Sequence, residues 1–273
     1  MKKLFYSLIL SFLAFGATAQ VSLAPTTVFT DAYGVGTLFV SNSSDTPQEV
    51  NISFLFGYPA SDSLGNVSMV YTDSIKEGQY GLTERVRTFP KSFILAPGQQ
   101  RTVRLQVKPD RTKAAGTYFT RVKVLSNAQS ADIGQTSTAE IATQVTFQFE
   151  QVIAMFYKSG TVSTGLDIKH IEPKVTSGSI LINSEFEVAG NSPYLGSFNA
   201  VLKDPSGKIV TEQQQTLALY FEGKRSFGIN LPEEIKPGTY TLEVLFKTER
   251  SDIPTADLVQ SAPLVRTFSV QIL

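Results

Sequence analysis

From Val21 onward, short runs of alternating apolar and polar residues are separated by clusters of Gly, Pro, Asn, Asp and Ser. A period of two bounded by turn formers is the pattern of half-buried antiparallel strands. It predicts strands over 36–41, 49–56, 92–95, 101–108, 116–125 and 141–157, with no long amphipathic helix. Strands this regularly spaced predict β-sandwiches.

One stretch shows the logic residue by residue. In Ala96-Pro97-Gly98-Gln99, Pro97 presets φ for the first corner of a turn and Gly98 permits positive φ at the second. Beyond it Val103, Leu105 and Val107 share one face while Thr102, Arg104 and Gln106 share the other, as in a sheet with one wet side. The second half repeats the idiom with turns at Asp204-Pro205-Ser206-Gly207 and at Lys236-Pro237-Gly238. Gly238-Thr239-Tyr240 opens one late strand and Gly116-Thr117-Tyr118 opens its counterpart, which suggests two copies of one architecture. A Tyr at that position whose hydroxyl reaches back to the backbone is a corner device of immunoglobulin-like sandwiches. The fold expected is therefore all-β, with two immunoglobulin-like domains.

Small and polar residues at 159–165 mark the linker, dividing a first domain of 20–158 from a second of 166–273. Two connections in the first domain, 59–87 and 126–139, read as unusually long loops. Long loops in compact domains carry function or merely tolerate insertion.

The N-terminus changes the setting. Met1-Lys2-Lys3, an apolar run to Phe15 and the ending Ala17-Thr18-Ala19 form the three regions of a signal peptide spanning 1–19. Cleavage after Ala19 would leave Gln20 first, with no Cys to take a lipid and no later run long enough to span a bilayer. Export to a periplasm is expected, with outer-membrane or surface association left open. About 250 residues would remain, enough for two domains with their own cores.

Composition removes several classes of chemistry. Lys and Arg number 24 against 24 Asp and Glu, so no broad basic field is expected to attract nucleic acid. The chain has no Cys, which excludes disulfides and thiolate metal sites. Its single histidine, His170, would have to serve any Ser-His-Asp relay or His-based metal site, and reads instead as a solvated residue near the linker. No phosphate-cradling loop, dinucleotide-binding glycines or nucleophile elbow occurs. No enzyme, cofactor or metal is expected.

What remains is a polypeptide-binding surface. In the 141–157 stretch Val145, Phe147 and Phe149 project to one face and Gln144, Thr146 and Gln148 to the other. As the last strand of its sandwich this ribbon belongs at or near a sheet edge, where unpaired backbone groups can take a strand from a partner. The competing assignment makes the same apolar face core filler.

At this point the chain resembles the periplasmic chaperones of pilus assembly, the PapD-like family, over 21–158. The resemblance rests on ordered pieces: Val21-Ser22-Leu23, Leu38-Phe39-Val40-Ser41-Asn42, Phe93 to Leu105 around Pro97-Gly98, Gly116-Thr117-Tyr118, a polar loop, and a long strand ending Phe156-Tyr157. It implies that the final strand of the first domain donates Val145, Phe147 and Phe149 to an incomplete subunit sandwich. It also implies an Arg and a Lys that hold the subunit's C-terminal carboxylate, but Thr27 and Ala154 stand at those positions here. Lys158 is the candidate substitute anchor, or else a solvated residue beside the linker. Strand addition to exported pilus-type subunits, with an outer-membrane usher as a further partner, is the leading expectation. A structural or adhesive envelope protein with two docking modules is the alternative.

Overall fold

The structure is a computed structural model that describes residues 21–129 and 147–273. The expected signal peptide over 1–19, residues 130–139 of the expected 126–139 loop, and Val145 lie outside the described residues.

The first domain contains β1 (Val21–Ala24), β2 (Thr27–Phe29), β3 (Val35–Asn42), β4 (Gln48–Leu55), β5 (Tyr58–Ser61), β6 (Val67–Val70), helix α1 (Ser74–Tyr80), β7 (Val86–Phe89), β8 (Ser92–Leu95), β9 (Gln100–Val107), β10 (Gly116–Ala128) and β11 (Gln148–Ser159). A four-stranded sheet in the order β1-β3-β9-β7 faces a five-stranded sheet in the order β2-β11-β10-β4-β8. Alternation decides what lies between them. Leu38 and Val40 of β3 and Val103, Leu105 and Val107 of β9 meet Val50, Ile52, Leu95, Val122 and Val124 in one core, while Thr102 and Arg104 stay exposed. Each such burial is worth about 1.5–3 kcal/mol, and with no disulfide these contacts and the ladders hold the domain.

The second domain contains β12 (Thr164–Thr176), β13 (Ser179–Gly190), β14 (Tyr194–Lys203), β15 (Ile209–Leu219), β16 (Gly223–Asn230), β17 (Gly238–Lys247) and β18 (Leu264–Ile272). Its sheets run β12-β13-β16 and β15-β14-β17-β18. Ile180, Ile182, Leu242 and Val244 pack around an aromatic centre where the Phe198 and Phe227 rings stack at 3.9 Å. The chain is thus an all-β protein of two immunoglobulin-like sandwiches.

The local turn chemistry holds. Gln99 N–H donates to Ala96 C=O at 3.0 Å, and Gly98 takes φ 68°. Both tyrosine corners form with the same offset. Tyr118 hydroxyl donates to Ala114 C=O at 2.6 Å, and Tyr240 hydroxyl donates to Lys236 C=O at 2.8 Å.

The expectation of a long loop over 59–87 is corrected. That stretch holds the β5–β6 hairpin, α1 and β7. Asp73 caps the helix by accepting from Lys76 N–H at 2.9 Å, and Tyr58, Val70 and Tyr80 pack into an apolar cluster at the domain junction. Segments this short, with apolar residues facing a second domain, have no periodicity of their own to read. No helix among the described residues is long and apolar enough to cross a membrane.

Candidate functional site

β11 is flanked on one side along its whole length. It pairs antiparallel with β10 from Gln148 opposite Asn127 to Ser159 opposite Gly116. On its other side it meets only β2, in parallel, through Ala154, Met155 and Phe156. Phe156 C=O accepts from Thr30 N–H at 3.0 Å on that side. Backbone groups of alternate residues point the same way, so Gln148, Glu150 and Val152 turn their N–H and C=O toward the same edge. No described strand pairs with them there.

Side chains follow the same alternation. Tyr157 and Met155 are sealed in the first core and Ile153 packs against it. Gln151 reaches across to β1, its Nε2 donating to Val21 C=O at 2.9 Å. Beyond Gln151 the row emerges from the sandwich: Phe149 is 45% exposed and Phe147, just before the strand, is 67% exposed. Phe149 stands opposite Ser126, whose hydroxyl is buried with no hydrogen-bond partner. Ile153, Met155 and Tyr157 of this row thus fill the core, whereas Phe147 and Phe149 are exposed among the described residues. The 141–146 portion of the ribbon is outside the described residues.

The opposite face of β11 looks into the junction. Ala154 and Phe156 join Phe56, Phe119, Leu195 and Tyr220 in the cluster between the domains. Thr27 and Ala154 lie side by side as Cα partners, and the next residue in the same row, on β10, is Arg121. Arg121 is buried; its Nε donates to Gly57 C=O at 2.9 Å and an Nη to Tyr220 hydroxyl at 3.1 Å. No described carboxylate lies within 4.0 Å of it. Burial raises the Tyr220 hydroxyl above its ordinary range, with the Arg121 charge opposing. The sequence pointed to Thr27 and Ala154 and missed Arg121, which sits in the alternating stretch Phe119-Thr120-Arg121-Val122 where a cation reads as a wet-face residue.

Lys158 does not stand free in solvent. Its Nζ donates to Asp257 C=O at 2.8 Å and lies 5.7 Å from the centre of the Phe29 ring, tying the first domain to the second. His170 lies on β12 rather than in the linker and stays exposed, 3.6 Å from Glu172. No metal-holding cluster of His, Asp and Glu occurs among the described residues. The arrangement offers backbone hydrogen bonding and apolar contact.

No family model and no curated protein matches the chain. Solved structures do resemble it almost end to end. A chain of the Salmonella enterica SafA pilin–SafB chaperone complex is 15% identical, with 92% of this chain and 99% of that one covered and a TM-score of 0.44. The YadV chaperone is 8% identical, with coverage of 93% and 100% and a TM-score of 0.43. The Escherichia coli chaperone DraB is 14% identical, with coverage of 93% and 96% and a TM-score of 0.41. The fold described above rests on this chain's own strand pairing.

Proposed function

We propose that this chain is a non-enzymatic, exported chaperone that holds pilus-type subunits by strand addition along β11. The observation that carries the proposal is the β11 edge at Gln148, Glu150 and Val152, unpaired among the described residues, beside the protruding Phe147 and Phe149. A partner strand laid there would satisfy the outward N–H and C=O groups and cover both rings, so backbone pairing supplies affinity and the alternate side chains supply selectivity. Val145 would continue the same face. The likeness to SafB, YadV and DraB is compatible with this reading but does not carry it.

An anchor for the subunit's C-terminal carboxylate is the part of the mechanism most altered here. Thr27 and Ala154 carry no charge, so the proposed cations are Lys158 and Arg121, which share the junction face with Ala154. Lys158 is the better placed of the two because it is only half-buried, whereas Arg121 is buried. The usher and a periplasmic location belong to the same proposal.

The test is amide hydrogen exchange on the chain alone and in complex with a purified pilus-type subunit. Gln148, Glu150 and Val152 should exchange freely in the isolated protein and become protected in the complex. If a stoichiometric complex forms and these amides remain as fast as before, the partner binds elsewhere and the proposal fails.

A further inference from the structure

The segment that interrupts the first sandwich makes apolar contacts with both sandwiches. The turn from β15 to β16 carries Tyr220 and Phe221, and it enters a socket built by the interruption. Phe221 meets Tyr58 edge-on with centroids 5.0 Å apart and packs on Tyr80 at 5.1 Å. Lys76 of α1 places its Nζ 3.7 Å from the Phe221 ring centre and 4.0 Å from the Glu222 carboxylate. On the same side, Tyr220 packs edge-on against Phe119 at 4.6 Å.

The β5–β6 hairpin reaches further, to the backbone of β16. That strand ends its sheet, so one row of its N–H and C=O groups has no strand beside it. Ser61 Oγ accepts from Lys224 N–H at 2.7 Å on that free side. Gly65, at φ +86°, lies so close that a Cβ there would come within 2.9 Å of Ser226 N. Only glycine both adopts that φ without strain and permits that approach.

A second clamp crosses the junction at Asn191, which borders the same cavity as Tyr80 and Phe221. Asn191 C=O accepts from Thr117 N–H at 2.9 Å, and Asn191 Nδ2 donates to Ala115 C=O at 3.0 Å and to Thr161 C=O at 3.1 Å. Its Oδ1 accepts from Ser163 N–H at 2.9 Å, so one side chain holds both the linker and the first domain. Domains in one chain move relative to each other by default unless a large apolar interface prevents it. Here both sets of contacts oppose a hinge.

We infer that the 58–80 segment is a brace that locks the two sandwiches at one angle and covers the start of the free β16 edge. It acts through Phe221 in its socket and through Ser61 and Gly65 on β16. The inference does not depend on strand addition at β11, which lies on a different edge.

The absence of cysteine makes the test clean, because Thr102→Cys and Thr267→Cys place one spin label on an exposed strand position of each domain. Pulsed dipolar spectroscopy should give one narrow distance distribution in the parent. Phe221→Ala empties the socket and Gly65→Val drives the hairpin tip off β16; each should roughly double the width or add a second distance. In Ser61→Ala the Lys224 amide should exchange about fivefold to tenfold faster. Retention of the parent distribution in both folded variants overturns the brace, and an unchanged Lys224 rate overturns the edge cover. If Phe221→Ala does not fold, Gly65→Val decides alone, since it removes no core side chain.

Discussion

β11 and β18 hold the same place in their sandwiches. Each is the final strand of its domain, and each runs antiparallel to a strand opened by Gly-Thr-Tyr. Superposing the two ladders on those glycines puts Tyr157 at the place of Val270, Met155 at Phe268, Ile153 at Arg266 and Gln151 at Leu264. There β18 stops, level with the end of its core. β11 continues, because β10 runs on to Ala128 and gives Phe149 and Gln148 partners past the last core layer. The inward rows differ as well: β18 places the exposed, charged Arg266 where β11 places the half-buried Ile153. A charge on an inward position is a common way to blunt an edge. Being last in a sandwich therefore does not by itself give a strand what the proposed docking site needs, an aromatic overhang with one side unpaired among the described residues.

The sharpest way to break that comparison is to remove the overhang's apolar character. Phe147→Glu combined with Phe149→Glu should weaken subunit binding by about 4 kcal/mol, roughly 1,000-fold, since each ring covered by a partner is worth about 1.5–3 kcal/mol. Unfolding should stay within about 0.5 kcal/mol of the parent because both rings are exposed. Val265→Glu, at an exposed position of β18, should leave binding unchanged. Titration calorimetry with the purified subunit measures all three. Equal losses from the two strands would erase the distinction drawn between them.

Much of this contrast was legible in the chain. The alternation of Val103, Leu105 and Val107 against Thr102 and Arg104 fixed both the strand and its buried face, because a sheet with one wet side has only that solution. Pro97-Gly98 and the two Gly-Thr-Tyr corners were readable because turns depend on the φ and hydrogen-bonding capacity of single residues. The Phe147 and Phe149 face was readable too, but not where burial would end along it, since that depends on the neighbouring sheet. Arg121 and Phe221 were not readable as junction residues. Their environment is made by segments far apart in sequence, and an Arg in an alternating strand looks like any wet-face residue. The 59–87 stretch was misread for the same reason: its short hairpin and seven-residue helix are ordered by contact with the second domain rather than by their own pattern.

A second prediction separates the junction from the two cores. Burial first, and then the hydrogen bond and charge of Asp73, push the Tyr58 hydroxyl up to about 12. Burial also raises Tyr220. A phenol raised in the folded state contributes its stability in full below its ordinary value of about 10, and loses it as pH climbs through the folded value. Asp73 runs the other way. The Lys76 N–H and then the Tyr58 hydroxyl hold its carboxyl low, so its contribution is present above about pH 4 and fades on acidification. The junction should hold between those limits and loosen from about pH 10 to 12, read as a widening interdomain distance distribution. Tyr58→Phe keeps the ring and removes the titrating group, so its response over that range should be smaller. Identical alkaline responses in Tyr58→Phe and the parent would assign the loosening to other groups.

The smallest expected effect tests whether the two corners are equivalent. Tyr118 and Tyr240 each donate to a carbonyl four residues earlier, and both rings are buried against their own cores. Replacing either with Phe keeps the packing and leaves one carbonyl without its partner, a loss of about 1 kcal/mol for a typical hydrogen bond. The two sites differ in one respect: Arg85 lies with its guanidinium carbon 5.3 Å from the Tyr118 ring centre, with Nε donating to Lys108 C=O. A cation over a ring adds to Tyr118 what Tyr240 lacks, but Phe preserves a π face, so that contribution largely survives the substitution. Urea unfolding of Tyr118→Phe and Tyr240→Phe should therefore show losses equal within about 0.5 kcal/mol. If Tyr118→Phe costs several times more, the corner in the first domain is coupled to Arg85 through the hydroxyl itself, and the two sandwiches are not built on one plan at that point.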